Sequence, residues 1–415
     1  MKSSFRRRLV LPLIVVALVL VACGQAGEEV ATGEPVKVGM FYDGSGLTSS
    51  IGVPARQGFE DYMNLVNKKG GIDGHPVSVT FIDMAYEVPK GVEGYERMKR
   101  EGVVAIGMWA TPLVSALQER AAQDRIPLLH TGFGVGAAIL GERFPYNFPM
   151  GGSYWSQAAG VIRFILDQWK EQRPPRIAFT YLDNPAGREP LELMNELARR
   201  EGFELRTYAI PLPGLDVTAQ VTDIVQRFRA DWVIGHVFGR PTAVHAKAFK
   251  DAGFPMNRLV HLWGGSYPED FTGIGGFAAV EGMYITEIFE WGPETSVAKE
   301  IARMYQEEGR TPSEYLSNTR SYYLGLVLAA HIVEGARIAL KEFGWPLDGT
   351  KVKQGLERVR GEVAGIIKVN MSPEDHDGGG FVRIQQIGPG GKVEPKTDWL
   401  APYRDIIIEV ARRAQ

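Results

Sequence analysis

Residues 126–140 read IPLLHTGFGVGAAIL. A short apolar strand runs into a glycine turn, Gly132-x-Gly134-x-x-Ala137, and then into residues of helical composition. An α/β crossover unit opens in this order. So does a dinucleotide-binding fingerprint, in which glycine lets backbone approach a pyrophosphate at a helix N-terminus. Two features decide against the cofactor. A dinucleotide turn follows the first strand of its domain and has an acid about 20 positions later for the ribose. Here the turn follows the fourth strand-like run, and the corresponding region, Met150-Gly151-Gly152-Ser153, holds no acid. No cofactor is expected, and the turn needs another use.

Outward from that turn the alternation of strand and helix is regular. VKVGMF begins it at Val36, followed by a helix with Ala55, Phe59, Tyr62 and Val66 on one face, then VSVTFID, a helix, VVAIGMW, a helix, and IPLLHT. Apolar runs of five to seven residues followed by segments of period near 3.6 predict parallel strands joined by crossover helices. Pro145-Tyr146-Asn147-Phe148-Pro149 interrupts the pattern, which restarts with a helix from Ser153 to Trp169. RIAFTYLD, ELRTYAIP, DWVIGHVF, LVHLWGG and GMYITEIF follow, with helices at Glu189 to Glu201, Thr218 to Phe228 and Thr242 to Ala252 between them. Helices at Ser296 to Glu308, Thr319 to Phe343 and Lys351 to Val359 come next. Gly365 to Gln386 reads as two strand pieces around a Pro, Asp and Gly turn, which predicts an antiparallel edge hairpin. The fold class is α/β, with two doubly wound Rossmann-like lobes joined by a hinge of three crossings. Lobe one takes residues 36–150 and about 286–362, and lobe two 151–285 and about 363–405.

The N-terminus is an address. Lys2, Arg6, Arg7 and Arg8 precede the apolar segment LVLPLIVVALVLVA, a secretory signal too short for a bilayer-spanning helix of about 20 residues. Leu20-Val21-Ala22-Cys23 at its end resembles the lipobox of bacterial lipoproteins, which implies cleavage of residues 1–22 and lipidation of Cys23. Cys23 is the only cysteine, so no internal disulfide competes for it. Residues 23–35 then read as a flexible tether. The rest has ordinary globular composition, 45% hydrophobic and 23% charged. A formal charge of −3 offers no basic excess for phosphates, so no nucleic acid partner is expected. No second apolar run of membrane-spanning length is expected in the body.

With these residues in view, the chain resembles the type I periplasmic binding proteins, in particular the branched-chain amino acid and amide receptors of ABC importers. VKVGMFYDGSGLTSSIG, NKKGGIDGHPVSVTFID, VVAIGMWATPLVSALQE, IPLLHTG and SPEDHDGGG carry the likeness, which runs from Val36 to about Tyr403. It implies a monomeric, extracytoplasmic receptor held to the membrane by lipid, which closes two lobes on a small molecule and hands it to a permease and ATPase complex. Carried over by position, Thr111 in Trp109-Ala110-Thr111 is the hydroxyl for a ligand carboxylate or amide oxygen. Gly132, Phe133 and Gly134 supply backbone donors where the family often has a threonine. Phe238 matches an aromatic after a lobe-two strand, Trp263 joins the cleft aromatics with Tyr42, Trp109, Phe133 and Phe238, and the family's acid for the ligand ammonium falls at Gly265. A tyrosine expected after the first strand of lobe two is replaced near Ala186. Either Glu269, Asp270 or Asp183 takes over the missing charge, or the ligand has no ammonium, because an ammonium buried without its anion costs several kcal/mol. The aromatics suit an amino acid, an amide, a carboxylate or an aromatic acid with an apolar body, or else fill the core.

Other signals carry less. Asp375-His376-Asp377 has metal-ligand residue types, but consecutive residues do not converge and Gly378-Gly379-Gly380 follows, so a polar turn is expected and no metal. No HExxH or G-x-S-x-G spacing occurs, and no enzyme activity is expected. A ligand-sensing module for a separate signalling partner is the alternative to a transport receptor. A direct check of the anchor is Cys23→Ser: the intact protein made in its own type of cell should partition into detergent and the variant into water. Equal partitioning of the two rejects lipidation.

Overall fold

The computed structural model describes residues 31–131 and 134–414. Cys23, the leader and most of the tether lie outside them, as do Gly132 and Phe133. The tether is already fixed at its end, where the Gly33 N–H donates to the Gly74 carbonyl at 3.0 Å.

Lobe one is built on β1 (Val36–Tyr42), β2 (Val77–Asp83), β3 (Ile106–Gly107), β4 (Leu128–Thr131) and β5 (Asn147–Met150), all parallel, in the order β2-β1-β3-β4-β5. Lobe two has β6 (Arg176–Leu182), β7 (Glu204–Ile210), β8 (Trp232–His236), β9 (Leu259–His261) and β10 (Tyr284–Glu287), also parallel among themselves, in the order β10-β9-β8-β6-β7. Counted from its own first strand, each lobe therefore has the same doubly wound order. In both, the direction of winding reverses beside the first strand, between β1 and β3 and between β6 and β8. At such a reversal the loops leave the carboxyl ends in opposite directions and open a crevice. β1 is buried at all positions but Lys37 and Tyr42, as a strand covered on both faces must be.

The covering helices are α1 (Ser49–Lys68), α2 (Val88–Glu101) and α3 (Thr111–Asp124) in lobe one. In lobe two they are α4 (Tyr154–Gln168), α5 (Pro185–Arg188), α6 (Leu191–Glu201), α7 (Thr218–Thr222) and α8 (Pro241–Asp251). The chain then returns to lobe one with α9 (Ser296–Glu307), α10 (Tyr315–Asn318), α11 (Arg320–Phe343) and α12 (Gly349–Leu356). The α1–α11 crossing is a backbone contact. A β-carbon at Gly325 would overlap the Ala55 carbonyl, and one at Gly58 the Tyr322 carbonyl. Beside it Asp61 accepts the hydroxyls of Tyr305 and Tyr322, each at 2.7 Å, and so satisfies a buried carboxylate. The expectation of no further membrane-length apolar run needs correcting, because α11 is long and apolar enough to cross a bilayer. Its apolar residues are instead buried against α1 and α12, as in a core helix.

The tail also departs from expectation. β12 (Ile367–Asn370) pairs with β11 (Arg360–Val363), while β13 (Arg383–Ile387) enters lobe two antiparallel between β10 and β14 (Val393–Pro395). The two pieces expected to form one hairpin thus belong to different sheets. The turn between them is held elsewhere: Asp377 accepts the N–H groups of Gly152 (3.1 Å) and Ser153 (3.0 Å) and pairs with Arg404 at 2.7 Å, from α13 (Arg404–Arg413). Asp375 pairs with the same arginine at 2.5 Å, and the His376 ring bonds the Asn147 carbonyl (2.9 Å) and Glu357 (3.1 Å).

The hinge is therefore clasped at two places. Asp377 binds the first crossing, 150–154, to the third, 370–383. At the second, Arg320 at the start of α11 reaches into lobe two. Its guanidinium donates to the Ser266 carbonyl (2.7 Å), the Thr286 carbonyl (2.8 Å) and Glu287 (2.6 Å), all out of solvent. Glu287 also accepts from Ile288 N–H (3.0 Å) and Trp291 Nε1 (3.0 Å). Breaking such a pair strands a buried charge, so Glu287→Gln should lower unfolding stability by about 3–5 kcal/mol. Urea unfolding followed by tryptophan fluorescence measures it, and a loss under about 1 kcal/mol rejects the pair as a structural clasp.

Candidate functional site

The site forms where the two crevices face each other. In lobe one, fully buried Asp43 follows β1 and accepts Gly46 N–H (2.6 Å) with one oxygen and the N–H and hydroxyl of Thr48 (2.7 Å each) with the other. Asp83, at the end of β2, accepts the N–H groups of Gly44 and Ala85, both at 2.9 Å, and the Ser45 hydroxyl at 3.0 Å. Burial opposes its charge, but these donors prevail and hold the carboxyl below its usual range. Ala85 (φ 48°) and Tyr86 (φ 57°) are both left-handed, a strain that side chains accept only where surroundings fix them. Gly46 is one such constraint, since a β-carbon there would overlap the Ala85 carbonyl.

After β3, Ala110 is extended and Thr111 opens α3, with Pro112 next, where no N–H is needed. Thr111 is buried, and its Oγ1 accepts the Gly134 N–H at 3.1 Å and meets the Tyr154 hydroxyl. The Gly134 donor, expected to face a ligand, is thus turned onto Thr111. Gly134 has φ 91°, and a side chain there would run into the His130 ring, so the position is held for glycine. Trp109 is buried and its indole N–H has no partner among the described residues.

Lobe two answers with Tyr154, the first residue of α4, whose ring packs edge-on to His236 at 4.5 Å. His236 Nε2 contacts the Ala186 carbonyl at 3.0 Å. A carbonyl only accepts, so Nε2 carries the proton and Nδ1 is a buried acceptor, unpartnered among the described residues. Burial pushes this imidazole down to about 4, against the pull of that carbonyl, and keeps it neutral. Phe238 is buried 6.0 Å from the His236 ring.

Glu189 sits between α5 and α6 and reaches across the cleft, where one carboxyl oxygen accepts the Gly136 N–H of lobe one. Its backbone carbonyl accepts Trp155 Nε1 at 3.1 Å, and its second carboxyl oxygen is buried without a partner among the described residues. Burial, with a smaller push from Glu192 and against the Gly136 N–H, raises this carboxyl to about 8.

A cavity of about 590 Å³ lies between Gly44, Leu47, Ser50 and Pro54 of lobe one and Arg240 and Glu269 of lobe two. Glu269 accepts the N–H (3.1 Å) and hydroxyl (2.5 Å) of Ser321. Asp270 takes a long bond from Ser50 at 3.4 Å, and burial followed by the neighbouring Glu269 pushes it up to about 7.

The remaining sequence candidates fall around the rim and floor. Trp263 is fully buried between Tyr267 (5.1 Å) and Phe289 (5.3 Å), under the Arg320 guanidinium. Gly265 abuts the Val237 carbonyl, and its own carbonyl ends a buried chain. Thr180 meets His245 at 2.7 Å, His245 meets His261 at 2.9 Å, and His261 Nδ1 donates to Gly265 at 2.8 Å. Asp183 is engaged by Arg188 at 2.6 Å, and Tyr42 lies beneath Arg56. Sequence reasoning brought Trp109, Ala110, Thr111, Gly134 and Phe238 to the crevice but missed Tyr86, Tyr154, Glu189 and His236. Asp43 was missed too, although the turn pattern Asp43-Gly44-Ser45-Gly46 carried a readable signal for it.

Comparison with known proteins agrees with this architecture. A crystal structure described as an ABC transporter permease from the Pseudomonas fluorescens group is 29% identical over 91% of this chain and 96% of that one, with a TM-score of 0.82. A branched chain amino acid ABC transporter from Thermus thermophilus with bound valine is 22% identical, covering 92% and 98%, with a TM-score of 0.76. A fatty acid ABC transporter substrate-binding protein from Thermomonospora curvata is 17% identical, covering 93% and 96%, with a TM-score of 0.74. No curated protein matches the chain in sequence. The sequence profile described as periplasmic binding protein matches residues 35–392, nearly the whole of both lobes. The chain belongs to the periplasmic binding protein family, whose members bind ligands outside the cytoplasm and are not enzymes.

Proposed function

We propose that this protein is the solute receptor of an ABC importer, a monomer tethered through a lipid on Cys23, and that it captures a small amino acid-like ligand between its lobes. Branched-chain and other hydrophobic amino acids, or their amide or carboxylate analogues, form the ligand class. The lobes, 36–150 with about 286–362 and 151–285 with about 363–405, close over it, and the closed form is what the permease reads.

One observation carries this reading: a cavity of about 590 Å³ between the two lobes, lined by the loop after β1 in lobe one and by residues that follow β8 and β9 in lobe two. That volume is in the range of small-molecule sites. Its lining joins apolar Leu47, Val53 and Pro54 and the Tyr315 ring to polar Ser50, Arg240, Glu269 and Thr319, the mixture that an apolar body with a polar head requires. The descriptions of similar structures as ABC transporter components support the transport role. Thr111 is the anchor of the polar head, because its hydroxyl can turn from Tyr154 to a ligand oxygen while still accepting from Gly134.

Thermal shift with hydrophobic amino acids, their amides and aromatic acids should find a ligand that raises Tm by mass action. Thr111→Ala should then weaken that ligand by about 1–3 kcal/mol in titration calorimetry. Unchanged affinity in the variant places the ligand elsewhere.

A further inference from the structure

We propose that Trp345 seats the end of lobe one farthest from the cleft on the membrane surface, so that the tethered receptor stands with its cleft turned away from the bilayer. This rests on the lipid anchor of the reading above and is independent of what the cleft binds.

Among the described residues the large apolar side chains left exposed are Leu47, Val53, Leu212, Leu215 and Trp345. Leu47 and Val53 line the cavity between the lobes, and Leu212 and Leu215 follow the carboxyl end of β7. These four lie on the cleft side of the molecule. Trp345 lies at the other end of lobe one, in the loop after α11. It is 37% exposed, and its ring stacks on His75 at 4.0 Å with 11° between the planes. His75 stands just before β2, at the end of the sheet where the parallel strands begin.

The tether arrives at the same place. His75 Nδ1 donates to the Glu34 carbonyl at 2.8 Å, Gly33 N–H to the Gly74 carbonyl at 3.0 Å and Val36 N–H to the Pro76 carbonyl at 2.8 Å. Residues 33–36 are thus bonded along the loop on which Trp345 stacks. Cys23 and Gly33 are ten residues apart, a reach of at most about 35 Å at roughly 3.5 Å per residue. A lipid on Cys23 therefore keeps this end of lobe one beside the bilayer, where a contact too weak to hold a free protein becomes effectively intramolecular. Tryptophan suits that contact, because its ring joins an apolar body to one N–H donor and collects at membrane–water interfaces. Charge adds little: the segments around Trp345 carry Lys341 and Lys351 together with Glu34, Asp73 and Asp348, and Lys351 gives its ammonium to the Gly344 (3.0 Å) and Pro346 (2.7 Å) carbonyls. The contact is accordingly apolar and needs no anionic lipid. Because the cleft opens at the carboxyl ends of the strands, seating their other end turns its mouth outward, where solute arrives.

The test places the intact protein, made in its own type of cell, in phosphatidylcholine vesicles, either plain or brominated near the headgroup end of the acyl chains, and reads tryptophan emission. Bromine quenches only those indoles that reach the membrane. Part of the wild-type emission should be quenched, equally at low salt and at about 0.5 M salt, where charge contacts are screened. Trp345→Phe should lose that quenching while still floating with the vesicles. Phenylalanine keeps a ring on His75, so the Tm of this variant in detergent is the folding control, and Trp345→Tyr takes its place if it does not fold. Wild-type protein that floats without being quenched, quenching that survives the loss of Trp345, or quenching that salt removes overturns the proposal and leaves the anchor standing. If wild type and Cys23→Ser both fail to float, the lipid anchor falls and this proposal with it.

Discussion

The lobes owe their relation to one another to a guanidinium that never meets water. Arg320 is the first residue of a helix, where the N-terminal end of the dipole disfavours a positive charge. It is kept there by Glu287 and by the Ser266 and Thr286 carbonyls of lobe two. A planar group with donors in a fixed fork imposes angles as well as distances, which lysine could not do. Through it the helix that fills lobe one takes its starting point from lobe two. The glycine contact between α1 and α11 then carries that position back to the β1 loop, where the cleft begins.

Magnitudes separate what is stiff from what is soft. One clasp sets a charged pair away from solvent, Arg320 with Glu287, and losing a partner there costs about 3–5 kcal/mol; the other, Arg404 with Asp377, buries only the carboxylate. The contacts across the cleft are of another order. Gly136 N–H meets Glu189, Thr111 meets the Tyr154 hydroxyl, Ser321 donates its N–H and hydroxyl to Glu269, and one long bond of 3.4 Å joins Ser50 to Asp270, each on the scale of about 1 kcal/mol. Two carboxyls pushed upward by burial, Glu189 to about 8 and Asp270 to about 7, lie on the surfaces that face each other there.

The fold was legible because its signals are local. Apolar runs bounded by helical periods gave the parallel strands except β5, which lies inside the Pro145–Pro149 stretch that read as an interruption and is recognised only by its pairing with β4, and Thr111 was reachable because it lies one residue past Ala110 at a strand-to-helix junction. What failed was long-range. Whether Gly365 to Gln386 folds on itself or parts into two sheets depends on Asp377 finding the N–H groups of Gly152 and Ser153, more than 200 residues away in sequence. Glu189 read as an ordinary helix start because nothing near it announces that its carboxyl crosses to Gly136. The glycines at 132–134 looked like a phosphate turn because composition records that backbone can come close, and does not record to what. Gly134 comes close to Thr111 and to the His130 ring.

The buried chain from Thr180 through His245 and His261 to Gly265 runs in one direction only. The final carbonyl must accept, so every ring along it has a fixed tautomer and passes its proton toward the cleft. Burial keeps His245 and His261 neutral. The loop at Gly265 is accordingly anchored to the β-sheet core and leaves little room for change without dismantling that core. The β1 loop at Gly44–Ser50 is held as well, by Asp43 and Asp83, and the segment around Glu189 by Trp155 and His236. All three segments bordering the cleft thus have backbones fixed by buried polar bonds, so relatives that carry different cargo would differ in the side chains these segments present and inherit their paths.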